Sequence, residues 1–446
     1  MKKRTITTIL ASLTMATALT ACSGVPNGTL SDLIDTTKEI TSESTENSST
    51  DVNLSVKTDG SSITVNSGNA SAVYTSVSNP DSEIDLTDIF SKRDLNQTPD
   101  LTDADIIEVA DGKSYTISSE GIYIIKGTAS NCTIRVEADK EAKVQLVLDG
   151  VNITNDNFPA IYVVSADKCF VTTTDSENTL TVTGKYTSEG STNTDAVIFS
   201  KDDLVLNGTG ILNINSYYGN GISGKDDIKV TGGTYNIKSA EDGIEANDSI
   251  AIYDGTFNIT TNKDGLHSEN DEDNTLGWIY IKDGKLNISV KSDGIQATTF
   301  FVADGGEIVI NASEGIEATY IQINGGNIDI TASDDGMNAS YKSKSYTVPV
   351  IEFNGGTTTI EVGQGDTDAI DSNGSIYVNG GTINVTSTVS PFDYDGTAEY
   401  NGGTIIINGT QVDSIPQSMM GGGMGGDPKG MNGGFGDMGG RGGRRS

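Results

Sequence analysis

The middle of the chain is built on a repeated tripeptide, in which an acidic residue is followed by glycine and then by an apolar residue. Counted from Gly221, its glycines recur after 22, 22, 29, 21 and 21 residues. A period of this length is typical of a solenoid, because each repeat is one coil that buries its apolar side chains against neighbouring coils. The copies are Asp242-Gly243-Ile244, Asp264-Gly265-Leu266, Asp293-Gly294-Ile295, Glu314-Gly315-Ile316 and Asp335-Gly336-Met337, with degenerate copies at Asp195-Ala196-Val197 and Asp368-Ala369-Ile370.

Two further markers repeat in phase with this tripeptide and alternate as strands do. One follows a glycine, as in Gly233-Thr-Tyr-Asn-Ile237, and has apolar residues at every second position. The other marker is an apolar pair: Ile228/Val230, Ile250/Ile252, Ile279/Ile281, Phe300/Val302, Ile321/Ile323, Ile351/Phe353 and Ile376/Val378. Three short strands per repeat, without any helical period, predict an all-β fold: a parallel β-helix over residues 105–412.

The charge of the chain is strongly acidic, with 62 Asp and Glu against 28 Lys and Arg and a formal net charge of −34. Such a balance argues against nucleic acid as a partner. Stacked coils place equivalent residues about 4.8 Å apart. The acids of the tripeptide should therefore form a column in which adjacent charges repel by roughly 3 kcal/mol at an effective dielectric of about 20.

A second column of polar residues lies two positions after each glycine and consists of Glu245, His267, Gln296, Glu317, Asn338 and Asp371. Two columns of oxygen ligands predict Ca²⁺ as a cofactor, since Ca²⁺ takes six to eight oxygens. The alternative is a solvated turn in which Asp caps and Gly supplies a positive φ. An acid in five consecutive coils favours calcium. The predicted ligands are Asp242, Glu245, Asp264, Asp293, Glu314, Glu317, Asp335, Asp368 and Asp371.

The first residues have the pattern of a targeting segment. The basic residues Lys2, Lys3 and Arg4 precede an apolar stretch too short to span a membrane, and Leu19-Thr20-Ala21-Cys22 looks like a bacterial lipobox. We therefore predict a signal peptide over residues 1–21. The mature protein should be exported and anchored through lipid on Cys22 at the extracellular face of the cell membrane.

Low-complexity segments flank the predicted β-helix. Residues 22–80 are rich in Ser and Thr and are predicted to form a disordered linker, and residues 413–446 a disordered tail rich in Gly and Met. Residues 81–104 are predicted to cap the N-terminal end of the β-helix, with Thr87 and Ser91 offering helix-capping side chains.

Cys132 and Cys169 remain after Cys22, and each lies in an apolar, strand-like run. Either one disulfide or two buried thiols would fit. Two cysteines in so long a chain are not a disulfide framework, so buried thiols are favoured. His267 is the only histidine, which excludes a histidine-rich zinc site, and we predict that it is simply a member of the second column.

At several places the chain resembles a known family. The stretches that carry the resemblance are 120–127, 144–153, 159–162 and 176–180, together with the acidic tripeptides. They are similar to the bacterial carbohydrate-binding domain-containing proteins, whose type member is a clostridial cell-surface β-helix that binds cellulose and acidic sugars with Ca²⁺. The similarity covers roughly residues 105–410. It implies a right-handed β-helix related to the calcium-dependent pectate lyases, with polysaccharide binding as its function.

The predicted function is non-catalytic, calcium-dependent binding of an acidic or cellulosic polysaccharide by a monomer that touches the membrane through its lipid alone. Tyr217, Tyr218 and Trp278 are predicted to stack on sugar rings. Two alternatives stay open. One is a calcium-dependent lyase, in which neutral Lys263 or Lys291 removes the α-proton of a uronate. The other is a calcium-stiffened surface spacer or adhesin without sugar specificity.

Overall fold

The structure is a computed structural model that describes residues 52–58, 61–67, 73–75, 83–86, 89–270, 272–273, 275–343, 348–364 and 367–416. The predicted signal peptide, Cys22, Thr87 and residues 417–446 of the predicted tail lie outside the described residues. Within them, every regular element is a β-strand. No helix among these residues has the length and apolar character that a membrane crossing requires.

Sheet 1 carries the acidic tripeptides. Its twelve strands are parallel, and each one pairs with the strand one coil further along. The strands are Ser114–Ile117, Thr133–Glu137, Ile161–Ser165, Ala196–Ser200, Asn220–Gly224, Ile244–Ala246, Leu266–Ser268, Asp293–Ala297, Glu314–Ala318, Met337–Ala339, Ile370–Ser372 and Asp393–Tyr394.

Sheet 2 follows sheet 1 within each coil and is also parallel. The first half of Lys143–Asn155 belongs to this sheet and pairs with Lys168–Thr173 on one side and with the start of Gly121–Ser130 on the other, and its second half belongs to sheet 3. The later strands of sheet 2 are Lys168–Thr173, Asp203–Gly208, Asp227–Val230, Ser249–Ile252, Trp278–Ile281, Phe300–Ala303, Tyr320–Ile323, Val350–Phe353, Ser375–Val378 and Ala398–Tyr400.

Sheet 3 completes the coil. The strands that follow the second half of Lys143–Asn155 in this sheet are Glu177–Val182, Ile211–Ser216, Thr234–Ser239, Thr256–Thr261, Lys285–Ser289, Glu307–Ala312, Asn327–Ala332, Thr357–Val362, Thr382–Thr386 and Thr404–Ile407. Thr410–Val412 ends the sheet by antiparallel pairing with Thr404–Ile407. At the other end, Asp105–Glu108 and Gly121–Ser130 lie parallel to Lys143–Asn155. The prediction of a parallel β-helix is therefore confirmed.

The interior of the β-helix is filled by stacks of branched side chains. Ile228, Ile250 and Ile279 occupy the same inward position in three successive coils and are fully buried. Complete burial of such a side chain contributes about 1.5–3 kcal/mol to folding. Cys132 and Cys169 are free thiols in this interior, as favoured from the sequence.

Glycine is required in the acidic tripeptide because the interior leaves no space for a Cβ atom, and not because the backbone there needs a positive φ. The φ of Gly294 lies outside the left-handed region, and a Cβ there would lie 2.3 Å from Cγ2 of Ile310 and 2.6 Å from the carbonyl oxygen of Gly315. The glycines that open the strands of sheet 3 do have a positive φ, for example 95° at Gly233 and 84° at Gly326. The alternative of a turn in which the tripeptide glycine supplies a positive φ therefore does not hold.

Two register assignments from the sequence are also wrong by one residue. Phe301, and not Phe300, aligns with Ile279 in the interior, so Phe300 and Val302 face outward. Ala196, and not Asp195, aligns with Asn220 and so with the acid position of sheet 1. In the run 300–303 both faces of the strand are apolar, and alternation alone cannot set the register of such a strand.

The segment predicted as an end cap lies instead along the outer face of sheet 2. We call residues 89–97 the strap. Asp94 forms an ion pair with Lys168 at 3.3 Å, and the Lys229 ammonium donates to the carbonyl of Ile89 at 2.7 Å. Ser91 does cap, but it caps a turn: its hydroxyl accepts from the backbone N–H of Asp94 at 3.2 Å. Ile89 and Phe90 of the strap pack against the apolar cluster on this face of sheet 2.

The stretch before the strap contains two antiparallel pairs. Val52–Thr58 pairs with Ser61–Ser67, and Val73–Thr75 pairs with Glu83–Asp85. Alternating Val and Leu before the dipeptide Asp59-Gly60, and alternating Ile and Val after it, are the signal of a hairpin. The linker predicted as disordered therefore includes paired strands.

Candidate functional site

The predicted acid column is present along sheet 1, and its members cap one another's backbone. The N–H of Asp264 donates to Oδ1 of Asp242 at 3.0 Å, and the N–H of Asp293 donates to Oδ1 of Asp264 at 2.9 Å. Further along, the N–H of Asp368 donates to Oδ1 of Asp335 at 2.8 Å. Much of the preference for Asp is thus structural, because one carboxylate oxygen satisfies a backbone donor of the next coil. The other oxygen is left for further partners.

In the coil of Asp264, the protein supplies its own cations. Oδ2 of Asp242 accepts from the Lys263 ammonium at 3.0 Å and lies 3.3 Å from Nδ1 of His267. Burial opposes ionisation of Asp242, but the His267 hydrogen bond and Lys263 outweigh it, so the pKa of this carboxyl lies below its usual range. Burial also disfavours the charged form of His267, yet Asp242 holds its pKa above the usual value. We call Asp242, Asp264 and His267, with Lys263 beside them, the balanced cluster.

One coil further, the carboxylates are only partly balanced by cations. Asp293, Glu314 and Glu317 bring ligand oxygens within 4.8 Å of one another. Burial, and then the charges of nearby acids, raises the pKa of Asp293 to about 6 and that of Glu314 to about 7. Gln296 donates to Oδ2 of Asp293 at 2.6 Å and to Oε2 of Glu317 at 3.0 Å, and Lys342 contacts the same Oε2 at 2.5 Å. We call Asp293, Glu314 and Glu317 the acidic pocket.

The remaining predicted ligands are spread along the same face. Glu245 accepts from Asn220 at 2.6 Å and from Ser223 at 3.0 Å, and lies 3.7 Å from the Lys225 ammonium. Burial, followed by repulsion from neighbouring acids, raises the pKa of Asp371 to about 7. In the part of the chain that the structure describes, the sheet 1 groups of three or more close ligands are the balanced cluster and the acidic pocket.

A third acidic group was missed from the sequence. Asp203, Asp226 and Asp227 converge at the turn between sheets 1 and 2, and burial, with repulsion from the other two, raises the pKa of Asp203 to about 7. The available signal was the tripeptide Lys-Asp-Asp, which occurs at 201–203 and again one coil later at 225–227.

The two lysines considered as lyase bases differ in their surroundings. Lys263 is bound to Asp242 at 3.0 Å. Burial would lower its pKa, but the carboxylates of Asp242 and Asp264 outweigh burial and raise it. A base must be neutral to remove a proton, so Lys263 is held in the wrong protonation state. Lys291 is exposed and precedes Asp293 by two residues in the sequence.

The three predicted sugar-stacking residues do not share one environment. Trp278 is 7% exposed and stacks on Phe300 with ring centroids 5.4 Å apart, in a cluster on the outer face of sheet 2 that includes Phe90 of the strap. It therefore offers no face to a sugar. Tyr217 and Tyr218 are 63% and 51% exposed. Tyr217 borders a cavity of about 290 Å³ whose other residues are Asn215, Ser216, Lys238, Ser239, Ala240 and Asn262.

This contrast gives a prediction. We expect Trp278→Ala to lower the free energy of unfolding by about 3–5 kcal/mol, because it removes a buried ring from a packed cluster. The exposed Tyr218→Ala is the control and should change stability by less than about 0.5 kcal/mol. Urea denaturation of both variants measures the difference. Equal stability of the two would show that Trp278 is not part of a packed core.

The fold and these sites define an acidic three-sheet parallel β-helix with clustered carboxylates on one face. A family model described as carbohydrate-binding domain-containing protein matches residues 111–367 and 320–424. The chain therefore belongs to the carbohydrate-binding domain-containing family, as the resemblance implied.

A relative and a solved structure are similar to this chain. A carbohydrate-binding domain-containing protein from Acetivibrio thermocellus is 40% identical over 202 residues, which make up 45% of this chain and 71% of the relative. The solved structure is described as a polysaccharide lyase-like protein from C. thermocellum, in a gadolinium derivative. It is 24% identical, covers 68% of this chain and 94% of its own, and has a TM-score of 0.38.

Proposed function

We propose that this protein is a lipid-anchored, non-catalytic surface protein that binds acidic polysaccharide through calcium held in the acidic pocket. The observation that carries the proposal is the crowding of three carboxylates, Asp293, Glu314 and Glu317, beside the ion pair that Lys342 forms with Glu317. Two of these acids have pKa values near neutrality, at about 6 and about 7. Burial, and then repulsion from neighbouring acids, raises these pKa values, and a bound divalent cation would favour the charged carboxylates against both effects.

The chemistry of the pocket suits calcium. Carboxylate oxygens are hard ligands of the kind that Ca²⁺ prefers. Three carboxylates alone do not reach the six to eight oxygens that the ion takes, so water and an incoming ligand would supply the rest. A uronate carboxylate is a suitable ligand, because the cation can bridge it to the protein. Without that bridge, a protein with a net charge of −34 would repel an anionic glycan.

Non-catalytic binding is favoured over the lyase alternative by the state of Lys263. Its ammonium is fixed on Asp242 at 3.0 Å, and its pKa is raised, so it is not available as a neutral base. Lys291 remains as the candidate base if the protein is a lyase. Export and lipid anchoring through Cys22 would place the binding face outside the cell. This part of the proposal is supported by the lipobox pattern that ends at Cys22.

The test is calorimetric titration with polygalacturonate oligomers in millimolar calcium and in EDTA. We expect binding in calcium, loss of binding in EDTA, and at least about tenfold weaker binding after Asp293→Asn with Glu314→Gln, because the bridging ion loses two charged ligands. Asp329→Asn on the outer face of sheet 3 removes one charge elsewhere and should bind normally. Calcium-independent binding of unchanged strength would refute the proposed bridge.

The same samples distinguish binding from cleavage. A lyase leaves an unsaturated product that absorbs in the ultraviolet, and we expect no such absorbance. Its appearance with wild-type protein and its loss in Lys291→Ala would replace the binding function by the lyase function.

A neutral glucan is a second candidate ligand, favoured by the surroundings of Tyr217. The exposed ring borders a polar cavity on sheet 3, close to a ladder of amides in which Asn236 donates to Asn213 at 2.8 Å and Asn258 donates to Asn236 at 2.9 Å. Aromatic rings pack on sugar faces and amides bond to hydroxyls. This binding would survive EDTA, and Tyr217→Ala would weaken it.

A further inference from the structure

The balanced cluster contains a nitrogen ligand, which sets its chemistry apart from that of the acidic pocket. Nδ1 of His267 lies 3.3 Å from Oδ2 of Asp242 and 3.7 Å from Oδ2 of Asp264. All three residues are buried, with exposures of 7%, 1% and 3% in the order named. The cluster thus combines one imidazole and two carboxylates in a site that is shielded from bulk water.

Both carboxylates of the cluster are oriented by a hydrogen bond on their far side, and a further carboxylate lies behind the imidazole ring. Oδ1 of Asp242 accepts from the N–H of Asp264, and Oδ1 of Asp264 accepts from the N–H of Asp293, so that both Oδ2 atoms face His267. On the opposite side of the ring, Nε2 lies 3.6 Å from Oε2 of Glu269. A carboxylate behind the second ring nitrogen is the common arrangement of metal-binding histidines, because it sets the tautomer and orients the ring.

We propose that Asp242, Asp264 and His267 form a zinc site that is separate from the calcium pocket. Imidazole nitrogen is a good ligand for zinc, whereas calcium takes oxygen ligands. Tetrahedral zinc with bonds of about 2.0–2.1 Å separates its ligand atoms by about 3.3 Å. The distances from Nδ1 to the two Oδ2 atoms, 3.3 and 3.7 Å, match this separation closely. The site does not depend on sugar binding.

Lys263 competes with the metal in this arrangement. Its ammonium occupies Oδ2 of Asp242, the oxygen that zinc would use. The lysine side chain is half exposed, with 50% of its surface accessible, so it can turn outward without disturbing the interior. Lys263→Met should therefore tighten zinc binding, because it removes both a positive charge and a competing donor.

The only histidine of the chain makes the test direct. The imidazole Hε1 signal in the NMR spectrum belongs to His267 and needs no assignment. We expect one equivalent of zinc to move or broaden this signal, and millimolar calcium to leave it nearly unchanged. The variant His267→Gln places at this position the residue that the next coil has at Gln296. Calorimetry should show that it lowers zinc affinity by at least about 100-fold. Loss of a residue that only hydrogen-bonds to a metal ligand costs up to about that much, and loss of the ligand itself should cost no less.

Two controls make the outcome decisive. Glu314→Gln in the acidic pocket should leave zinc affinity unchanged, and Lys263→Met should increase it. An imidazole signal unaffected by excess zinc, or equal zinc affinity of wild type and His267→Gln, would overturn the inference. Sugar is absent from all of these measurements, so failure of the proposed polysaccharide function would not change their result.

Discussion

Gly294→Ala should destabilise the β-helix by more than about 3 kcal/mol, at or above the upper end of the usual cost of overpacking. The added Cβ would lie 2.3 Å from Cγ2 of Ile310 and 2.6 Å from the carbonyl oxygen of Gly315. The second contact is with backbone that is hydrogen-bonded into the next coil, so it cannot be relieved by a side-chain rotation.

Gly112→Ala is the matched control. No atom lies within 4 Å of a Cβ at that position, but its φ is +66°. The left-handed backbone alone should cost about 1–2 kcal/mol. Chemical denaturation of both variants compares a steric cost with a conformational one. Similar losses in both would mean that the tripeptide glycine is not required by close packing.

In EDTA the protein should melt at a higher temperature at pH 5.5 than at pH 8. The pKa values of Asp293 and Glu314, about 6 and about 7, are higher in the folded protein than the ordinary values of 3.8 and 4.5. Between the ordinary and the folded values the folded state binds more protons than the unfolded state, so stability falls as pH rises. Asp371, with a pKa of about 7, acts in the same direction.

The balanced cluster does not reverse this trend. The raised pKa of His267 contributes stability that is present at low pH and is lost as pH rises through that pKa. The lowered pKa of Asp242 matters only below the usual range of a carboxyl, outside this window. Because the acids are partly exposed and screened, we expect a shift of about 3–6 °C by differential scanning calorimetry.

Calcium should abolish most of this pH dependence. An ion that binds only the folded state adds about 2.7 kcal/mol to the free energy of unfolding at a concentration of 100 times its dissociation constant. Calcium binds most tightly at high pH, where the carboxylates of the pocket are ionised, so it stabilises the protein most at that pH. At pH 8, Asp293→Asn with Glu314→Gln should raise the melting temperature in EDTA and reduce the calcium gain, while Asp329→Asn should alter neither. A melting temperature that is insensitive to both pH and calcium would mean that the pocket carries no unrelieved repulsion.

The order of coils and the columns could be predicted from the period alone. Asp293 pairs with Glu314 and Gln296 pairs with Glu317, as equal spacing after glycine requires. The difference in charge balance between the balanced cluster and the acidic pocket could not be predicted from the period. Lys342 reaches Glu317 from outside the strand pattern of the repeat, and only the folded chain shows that Lys263 binds Asp242.

The surroundings of Trp278 show a second limit of sequence reasoning. Its outward direction follows from strand alternation, but its burial depends on the cluster over this face, in which Phe300 stacks on it and against which Phe90 of the strap packs. The strap sequence around Ser91 and Asp94 is polar and has no period, so nothing in it indicates which surface it will cover. Alternation predicts which way a side chain points, and not whether another segment lies over it.

The strap also changes how the repeats can come apart. In a solenoid whose coils touch only their neighbours, the free energy of unfolding is approximately a sum of terms for single coils and for adjacent pairs. Such a solenoid can unfold from its ends one coil at a time. The strap binds Lys168, Asn207, Lys229 and, through Phe90, the rings of Tyr253 and Tyr280, which belong to five successive coils. Coils joined in this way must open together, so the backbone amides of this central block should exchange their hydrogens as one cooperative unit.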